Sequence, residues 1–396
     1  MFEWWINGSL DLSVWGKVIA TLILTQITIL SVTLYLHRHS AHNALELHPA
    51  LAHFFRFWIW LTSAQNTKEW TAIHRKHHAK CETDEDPHSP VAKGLKTVLL
   101  QDAELYLAEA KNPETLQRYG QRTPTDWIET HLYTPYKMYG IALMALIDFC
   151  LFGLAGITIW AVQMLWIPVF AAGVINGIGH AFGYRNFECK DAAKNILPWA
   201  FFIGGEELHN NHHTYPNSAK LSVKPWEFDI GWLWIRVFSA LGLAKARHIA
   251  PTAQKNRSKD QLDDDSLMAI LHNRFYVLSQ YHKRVMIPVI QEQTANMIAQ
   301  EKALFKKARK LLIRDENLVK QTEQQRIEAM LERNPRIKLI YEKSQELQAI
   351  WKNHPGSRFQ EKLQSLSEWC QQAERSGIAS LEAFAANLKQ YSLTKA

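Results

Sequence analysis

Two apolar stretches constrain this 396-residue chain more than any other feature. Residues 18–36 are 19 consecutive positions without a charge, and residues 139–179 hold Asp148 as the only charge among 41 positions. A helix needs about 20 apolar residues to cross the hydrocarbon core of a bilayer. We therefore predict membrane spans at about residues 14–36, 138–155 and 157–178, with the last two forming a hairpin that turns near Gly153 and Gly156.

Each stretch has an alternative interpretation that needs no membrane span. The first has the length of the apolar region of a signal peptide, but no small-residue cleavage site follows it. The second could be a pair of core helices in a soluble protein, which would need partner helices that are apolar on all sides, and the chain does not supply them. The sequence therefore favours retained spans and an integral membrane protein.

Two shorter aromatic segments, residues 51–64 and 229–243, contain arginine and fit helices that lie in the membrane interface. Buried core helices are the alternative for both. If residues 51–64 crossed the membrane, the histidines at 37–42 and 74–78 would face opposite sides. Lys and Arg follow the first span and the hairpin, whereas Lys17 is the only basic residue before the first span. This asymmetry predicts cytoplasmic polar loops, an outside N-terminus and an inside C-terminus.

The composition changes after about residue 250. We predict a membrane-embedded domain over residues 1–250, a linker over 251–272 and a soluble helical extension over 273–396, rich in Lys, Glu, Gln and Leu. A basic run that includes Lys302, Lys306, Lys307 and Lys310 could rest on anionic lipid or meet an acidic protein, and a solvated face of a helical bundle is the alternative. The predicted fold class is all-α.

Histidines cluster at residues 37–42, 74–78 and 209–213, and Asn176 with His180 forms a fourth, sparser element. Residues three and four apart share one face of an α-helix, so the second and third clusters each present three imidazoles together. His37 and His42 are five apart, which is about 140° on an α-helix. They would need a helix end or a second metal between them, and His39 with His42 is the alternative pair.

Clustered imidazoles of this kind predict a metal centre. Neutral imidazole binds zinc, iron, copper and nickel alike. The clusters hold more ligands than one tetrahedral zinc can use and contain no cysteine. We therefore expect two redox-active ions and oxygen chemistry, without the Glu-x-x-His pairs of soluble di-iron bundles.

The sequences HRHSAH, HRKHH and HNNHH, with NGIGH before the last, resemble the histidine boxes of membrane-bound fatty acyl desaturases of the bacterial delta-9 acyl-CoA or acyl-lipid type. The surrounding KEWTAIHRKHHAKCETDEDPHSP, GGEELHNNHH and KPWEFDIGW are also similar to that family. The resemblance covers about residues 10–250, and the C-terminal region resembles an extension carried by a bacterial branch. It implies helices around a cytoplasmic di-iron cap in the bacterial inner membrane.

The resemblance also implies roles for individual residues. Two iron ions would be held by His37, His42, His74, His77, His78, His180, His209, His212 and His213, with Asn176 acting through a water. Candidates for orienting these imidazoles are His39, Glu69, Asp86, Glu206 and Glu207, although solvated surface carboxylates are the alternative for the acids. Trp70, Trp160 and Trp166 are candidates for an acyl-chain tunnel or for membrane anchors. His48, His53, His88 and His131 match no box, and surface or structural roles are expected for them.

The implied function is an O2-dependent desaturase that introduces a cis double bond, at the delta-9 position, into an acyl chain on CoA or phospholipid. An unactivated methylene needs an oxidant made from O2 at a metal, together with two external electrons. The chain has no iron–sulfur cysteine pattern, dinucleotide fingerprint or haem domain, which implies a separate ferredoxin, rubredoxin or flavoprotein reductase. A net charge of +7 lacks the footprint of a nucleic-acid partner. A histidine-box hydroxylase and a membrane metal transporter or sensor are the alternatives.

Overall fold

The computed structural model describes residues 2–295, 305, 310–352 and 359–393. The chain divides into two compact units, one of residues 1–185 and 192–250 and the other of residues 186–191 and 251–396. Both units are mostly helical, as the sequence predicts. Of the basic run, Lys302, Lys306 and Lys307 lie outside the described residues.

The first unit contains helices, including π-helical segments, and short strand pairs. Its α-helices are Phe2–Asn7, Val14–Leu30, Pro49–Ser63, Thr67–Lys80, Pro90–Lys93, Leu95–Glu109, Pro113–Tyr119, Lys137–Phe152, Leu154–Trp166, Gly179–Ala181, His209–Thr214 and Ile230–Ala240. The segments Ser31–Ala41, Glu129–Tyr133 and Ile167–Ile178 are π-helical, and Glu206–Leu208 is a 3-10 helix. Strand Leu45–Leu47 pairs antiparallel with Ala244–Ala246, and Trp199–Ala200 pairs parallel with Phe228–Asp229.

Two helices of this unit are long and apolar enough to cross a membrane, Val14–Ala41 and Leu154–Ala181. The first begins where the Ser13 hydroxyl accepts a hydrogen bond from the Gly16 amide, and it continues five residues beyond the predicted end at residue 36. This extension carries His37 on the helix itself. The second contains Pro168, which has no amide hydrogen to continue an α-helical pattern, and the helix is π-helical from Ile167 to Ile178.

The predicted hairpin turns at Gly153. A side chain there would lie 2.4 Å from the Ile6 carbonyl oxygen, and Gly153 has a φ of +67°, so only glycine fits without strain. At Gly156 a Cβ atom would lie 2.0 Å from the Asp148 carbonyl oxygen, so the two helices approach closely. The helix Lys137–Phe152 has 16 residues, about 24 Å at 1.5 Å per residue. This length is short of a full bilayer core, and the span at residues 138–155 stays a prediction.

The second unit has a core of its own. Its α-helices are Asp264–His272, Arg274–Tyr281, Ile287–Thr294, Gln321–Arg333, Pro335–Lys352, Phe359–Glu374 and Ala379–Lys389, with a π-helical turn His282–Met286, a 3-10 helix Glu316–Leu318 and an antiparallel pair Gln254–Lys255 and Tyr391–Ser392. Leu267, Val277, Ile337, Leu366 and Leu381 are fully buried within it.

The segment predicted as a linker, residues 251–272, contains a helix. Helix Asp264–His272 begins there because the Asp263 carboxylate accepts hydrogen bonds from the Ser266 amide, at 2.8 Å, and from its hydroxyl. The acidic stretch that suggested a linker is therefore a helix N-terminus.

Candidate metal centre

The first histidine box lies on the π-helix Ser31–Ala41. In a π-helix each amide bonds to the carbonyl five residues earlier, and the His42 amide donates to the His37 carbonyl at 3.0 Å. The two imidazoles are therefore neighbours, with ring centroids 4.7 Å apart. The separation of about 140° applies to an α-helix; here the segment is π-helical and His42 is the residue that ends it, which agrees with the expected helix end.

A buried ion pair holds this box in place. Arg38 is fully buried, and its guanidinium contacts both carboxylate oxygens of Asp229, at 2.9 and 3.3 Å. It also donates to the carbonyls of Gly204 and Ala219, each at 2.8 Å. The pair thereby fixes the first box against the chain segments on both sides of the third.

The second and third boxes lie on α-helices with well-bonded surroundings. Asn66 caps helix Thr67–Lys80 by accepting from the amides of Lys68 and Glu69. In helix His209–Thr214 the buried Asn211 donates to the Leu221 carbonyl and to Glu227, at 3.0 and 2.9 Å. Both helices present their three imidazoles inward.

Imidazoles from all four sequence elements converge in this unit. His37, His42, His74 and His212 form one set whose ligand atoms lie within 4.8 Å of one another, and His77, His180, His213 and Cys81 form another. A third set, His78 with His212 and His213, overlaps both. His209 joins the second set through His180, since their Nε2 atoms are 3.1 Å apart. The nine histidines implied as ligands thus lie together.

The facing ring nitrogens test whether a cation fits this cluster. The Nε2 atoms of His42 and His74 are 2.8 Å apart, those of His78 and His212 are 2.9 Å apart, and those of His37 and His212 are 3.1 Å apart. The His37 Nδ1 atom lies 2.9 Å from a Glu206 oxygen, so the Nε2 atom is the nitrogen that faces the other histidines. Each pair is close enough to share a proton, but the His212 nitrogen faces both His37 and His78, and imidazole nitrogens that face one another this closely also suit a shared cation. The donor set therefore fits metal ions.

Burial favours the neutral form of five of these imidazoles. It is the main cause that lowers the pKa of His42, His74, His209, His212 and His213 well below the usual value, and the neighbouring histidines lower it further. Neutral imidazole is the form that binds metals. The surroundings therefore favour ligation before any ion is bound.

Carboxylates contact the outer nitrogens of three of the clustered histidines. His37 lies beside Glu206, His77 Nδ1 is 2.9 Å from Asp86 and His180 Nδ1 is 3.2 Å from Glu82. Burial alone would raise the pKa of Asp86, but His77 and two backbone amides lower it to about 2. Such contacts fix the orientation of an imidazole and raise its basicity as a ligand.

Three other candidates for this orienting role have different partners. Glu69 pairs with Lys137 at 3.1 Å. Glu207 accepts from the amides of Phe202 and Ile203, and burial raises its pKa to about 7. His39 stacks on Tyr35, and its Nδ1 lies 2.9 Å from the Leu45 carbonyl oxygen.

An apolar cavity of about 260 Å³ adjoins the histidine cluster. Its lining includes Ile29, Val32, Ile73, Ala171 and Ile175, and His37, His74, Glu206 and His209 line it where it meets the cluster. Trp70 lines the cavity and stacks on His74 with a centroid distance of 4.8 Å. Trp160 and Trp166 lie outside the lining and donate to the carbonyls of Ile141 and Phe202.

Asn176 lies in the cavity wall rather than in a histidine set. Its amide donates to Asp102 at 3.2 Å, and the other Asp102 oxygen is 2.6 Å from His88 Nδ1. His88, for which a surface or structural role is expected, is buried, and its ring centroid lies 6.1 Å from that of His77.

Sequence reasoning missed Cys81, Glu82 and Asp102. Cys81 is four residues after His77, a helical spacing that could have been noticed. Glu82 has a φ of +65°, an uncommon conformation that turns its carboxylate toward His180 and the Ala192 amide. No spacing rule links Asp102 to His88, because His88 precedes helix Pro90–Lys93 and Asp102 lies in the next helix, Leu95–Glu109.

Comparison with known proteins gives the family. Residues 13–243 match the family described as fatty acid desaturase, which is more than half of the chain. Residues 268–394 match a second family described as transposase, and their described part is mostly helical.

Individual relatives agree with the first match. The chain is 26% identical to delta-9 acyl-lipid desaturase 1 of Arabidopsis thaliana, over 61% of this chain and 79% of the relative. It is 27% identical to sn-1 stearoyl-lipid 9-desaturase of Anabaena variabilis, over 61% and 87%. The protein of the same name from Synechocystis is 29% identical over 58% and 71%. With a match that covers most of the histidine-bearing unit, the chain belongs to the fatty acid desaturase family.

Proposed function

We propose that this chain is a membrane desaturase that uses two iron ions and O2 to introduce a cis double bond into a saturated acyl chain. The observation that carries the proposal is the convergence of nine imidazoles, in overlapping sets, beside an apolar cavity. Residues 1–250 would form the catalytic part and residues 273–396 a cytoplasmic helical extension.

The histidine sets provide room for two ions. His37, His42, His74 and His212 would hold one ion, and His77, His180, His209 and His213 the other, with His78 between them. Asn176 would contribute through a water. Bound iron supplies an oxidant from O2 that can remove hydrogen from an unactivated methylene.

The protein's part in the reaction is to position the acyl chain and to exclude water. The apolar cavity lining binds hydrocarbon, and His37 and His74 lie in the same lining, so a bound methylene would lie next to the metal ligands. Trp70 stacks on His74 and would form a rigid wall between the acyl chain and this imidazole. The depth of the cavity would set which carbon is oxidised, and we propose the delta-9 position.

The relatives favour acyl chains linked to lipid or CoA. Two of them are named stearoyl-lipid 9-desaturases and another is named icosanoyl-CoA 5-desaturase. We propose a chain on CoA or phospholipid as substrate, and a ferredoxin, rubredoxin or flavoprotein reductase as electron donor. The long apolar helices support a multi-pass position in a bacterial inner membrane, with the metal centre on the cytoplasmic side.

Expression in a bacterium that makes few unsaturated fatty acids tests the function. Gas chromatography of total fatty acids should show new cis-monounsaturated chains that require O2. His77→Ala should abolish them, while His131→Ala, at an exposed histidine outside the cluster, should not. Hydroxylated products would support a hydroxylase instead. Purified protein without iron, or with no O2-dependent product, would contradict the proposal.

A further inference from the structure

Cys81 lies immediately after helix Thr67–Lys80, which carries the second histidine box. It is four residues beyond His77, so both side chains project from the same face at the end of this helix. Its Sγ atom and one ligand nitrogen each from His77, His180 and His213 lie within 4.8 Å of one another.

These separations fit four ligands around one ion. A thiolate sulfur binds a transition metal at about 2.3 Å and an imidazole nitrogen at about 2.1 Å, so two ligand atoms on opposite sides of an ion are about 4.4 Å apart. The 4.8 Å limit on the separations within this set is close to that largest distance. With His209, whose Nε2 atom is 3.1 Å from that of His180, the second position offers four imidazole nitrogens and one sulfur.

The other cysteines have different surroundings. Among the described residues, Cys81 is the only cysteine in a set of possible metal ligands. Cys150 lies in helix Lys137–Phe152 and Cys370 in the core of the second unit. Proximity to histidines is thus a property of this position, and Cys150, which is half-buried like Cys81, serves as a matched control.

We propose that Cys81 supplies a thiolate ligand to the ion held by His77, His180, His209 and His213. This inference rests on the proposed metal centre and adds a ligand to it. On binding, the S–H bond breaks, a sulfur–metal bond forms and the proton leaves to solvent, with no change of oxidation state.

A thiolate ligand makes the two metal positions chemically different. The first set contains only imidazoles, whereas the second gains a negatively charged, polarisable sulfur. Oxidation or alkylation of Cys81 would then weaken this position selectively. Modification of the Cys81 thiol should therefore release the ion at the second position and leave the ion at the first position bound.

Cobalt substitution tests the ligand without measuring activity. The full chain, purified in detergent and freed of metal, is loaded with Co²⁺. A thiolate-to-cobalt charge-transfer band in the near ultraviolet is expected for the wild type and for Cys150→Ser. Cys81→Ser should lose the band while it still binds cobalt through imidazoles.

Alkylation of the wild-type protein gives a second readout that needs no variant. Cobalt should slow the reaction of Cys81 with iodoacetamide about tenfold or more, because a coordinated thiolate is no longer a free nucleophile, and should leave Cys150 unchanged. Peptide mass spectrometry measures both rates in one sample.

The outcomes separate this inference from the proposed function. Two bound cobalt ions with no thiolate band and no protection of Cys81 would overturn the inference and leave the histidine centre intact. No cobalt binding at all would contradict the metal centre itself, and the inference with it.

Discussion

Carboxylates beside the imidazoles fix the direction of the proposed metal ligands. Asp86 is fully buried, contacts His77 and accepts from the amides of Glu82 and His88. Removing such a contact leaves a ligand in place but poorly oriented. The effect should therefore appear in metal affinity before it appears in the fold.

Asp86→Asn should lower metal affinity about 10- to 100-fold, because the amide cannot replace the charge beside His77. Glu69→Gln is the matched control, since Glu69 pairs with Lys137 rather than with an imidazole. Competition with a chelator of known affinity measures both variants. Equal losses in the two variants would refute the orienting role of Asp86.

His282 should make the second unit sensitive to acid. Burial lowers the pKa of His282 to about 4 from its usual 6.5, so the unfolded chain binds a proton that the folded chain does not. The contribution of neutral His282 to the free energy of unfolding is fully present above pH 6.5 and is lost as the pH drops toward 4. The total loss is about 3 kcal/mol.

Urea unfolding measured through the reactivity of the buried Cys370 thiol with a pyridyl disulfide reports this loss. His282→Gln should flatten the pH dependence, whereas His272→Gln, at an exposed histidine, should leave it unchanged. Identical pH slopes for the wild type and His282→Gln would contradict the prediction.

Between elements, the Arg38–Asp229 pair holds the first box in register with the loops around the third. Arg38→Met would leave the Asp229 carboxylate buried without its counter-charge and should cost about 3 to 5 kcal/mol. Arg247→Met is the control, because its pair with Glu46 is exposed, and it should change stability by less than about 1 kcal/mol. Thermal unfolding in detergent compares the two. Similar unfolding midpoints for the two variants would show that the buried Arg38–Asp229 pair does not stabilise the fold.

The sequence predicted the helical elements better than their detailed geometry. The hydropathy of residues 18–36, the glycines of the hairpin and the spacing of His74, His77 and His78 follow from local periodicity. The π-helix that unites His37 with His42 does not, because it depends on distant anchors such as the Thr33 hydroxyl bond to the Gly204 carbonyl. Glu82 and Asp102 were missed for the same reason: their partners are far away in sequence.

For the whole molecule, the division into two units predicts a separable metal centre. All nine histidines lie in the unit of residues 1–185 and 192–250. A chain of residues 1–250 should bind as much iron per mole as the full chain, and iron analysis of both purified proteins measures this. A truncated chain that stays folded by circular dichroism but holds no iron would contradict the prediction.

The π-helix Ser31–Ala41 has a consequence for how the site responds to metal loss. Extended π-helix is rare because its wide turn packs its own backbone poorly, and it persists where other contacts compensate. An ion shared by His37 and His42, as proposed above, would be one such contact. If the ion is removed, this segment is freer to adopt α-helical geometry. The amides of residues 37–42 should then exchange with deuterium faster in chelated protein, so their exchange rate reports whether the metal site is occupied.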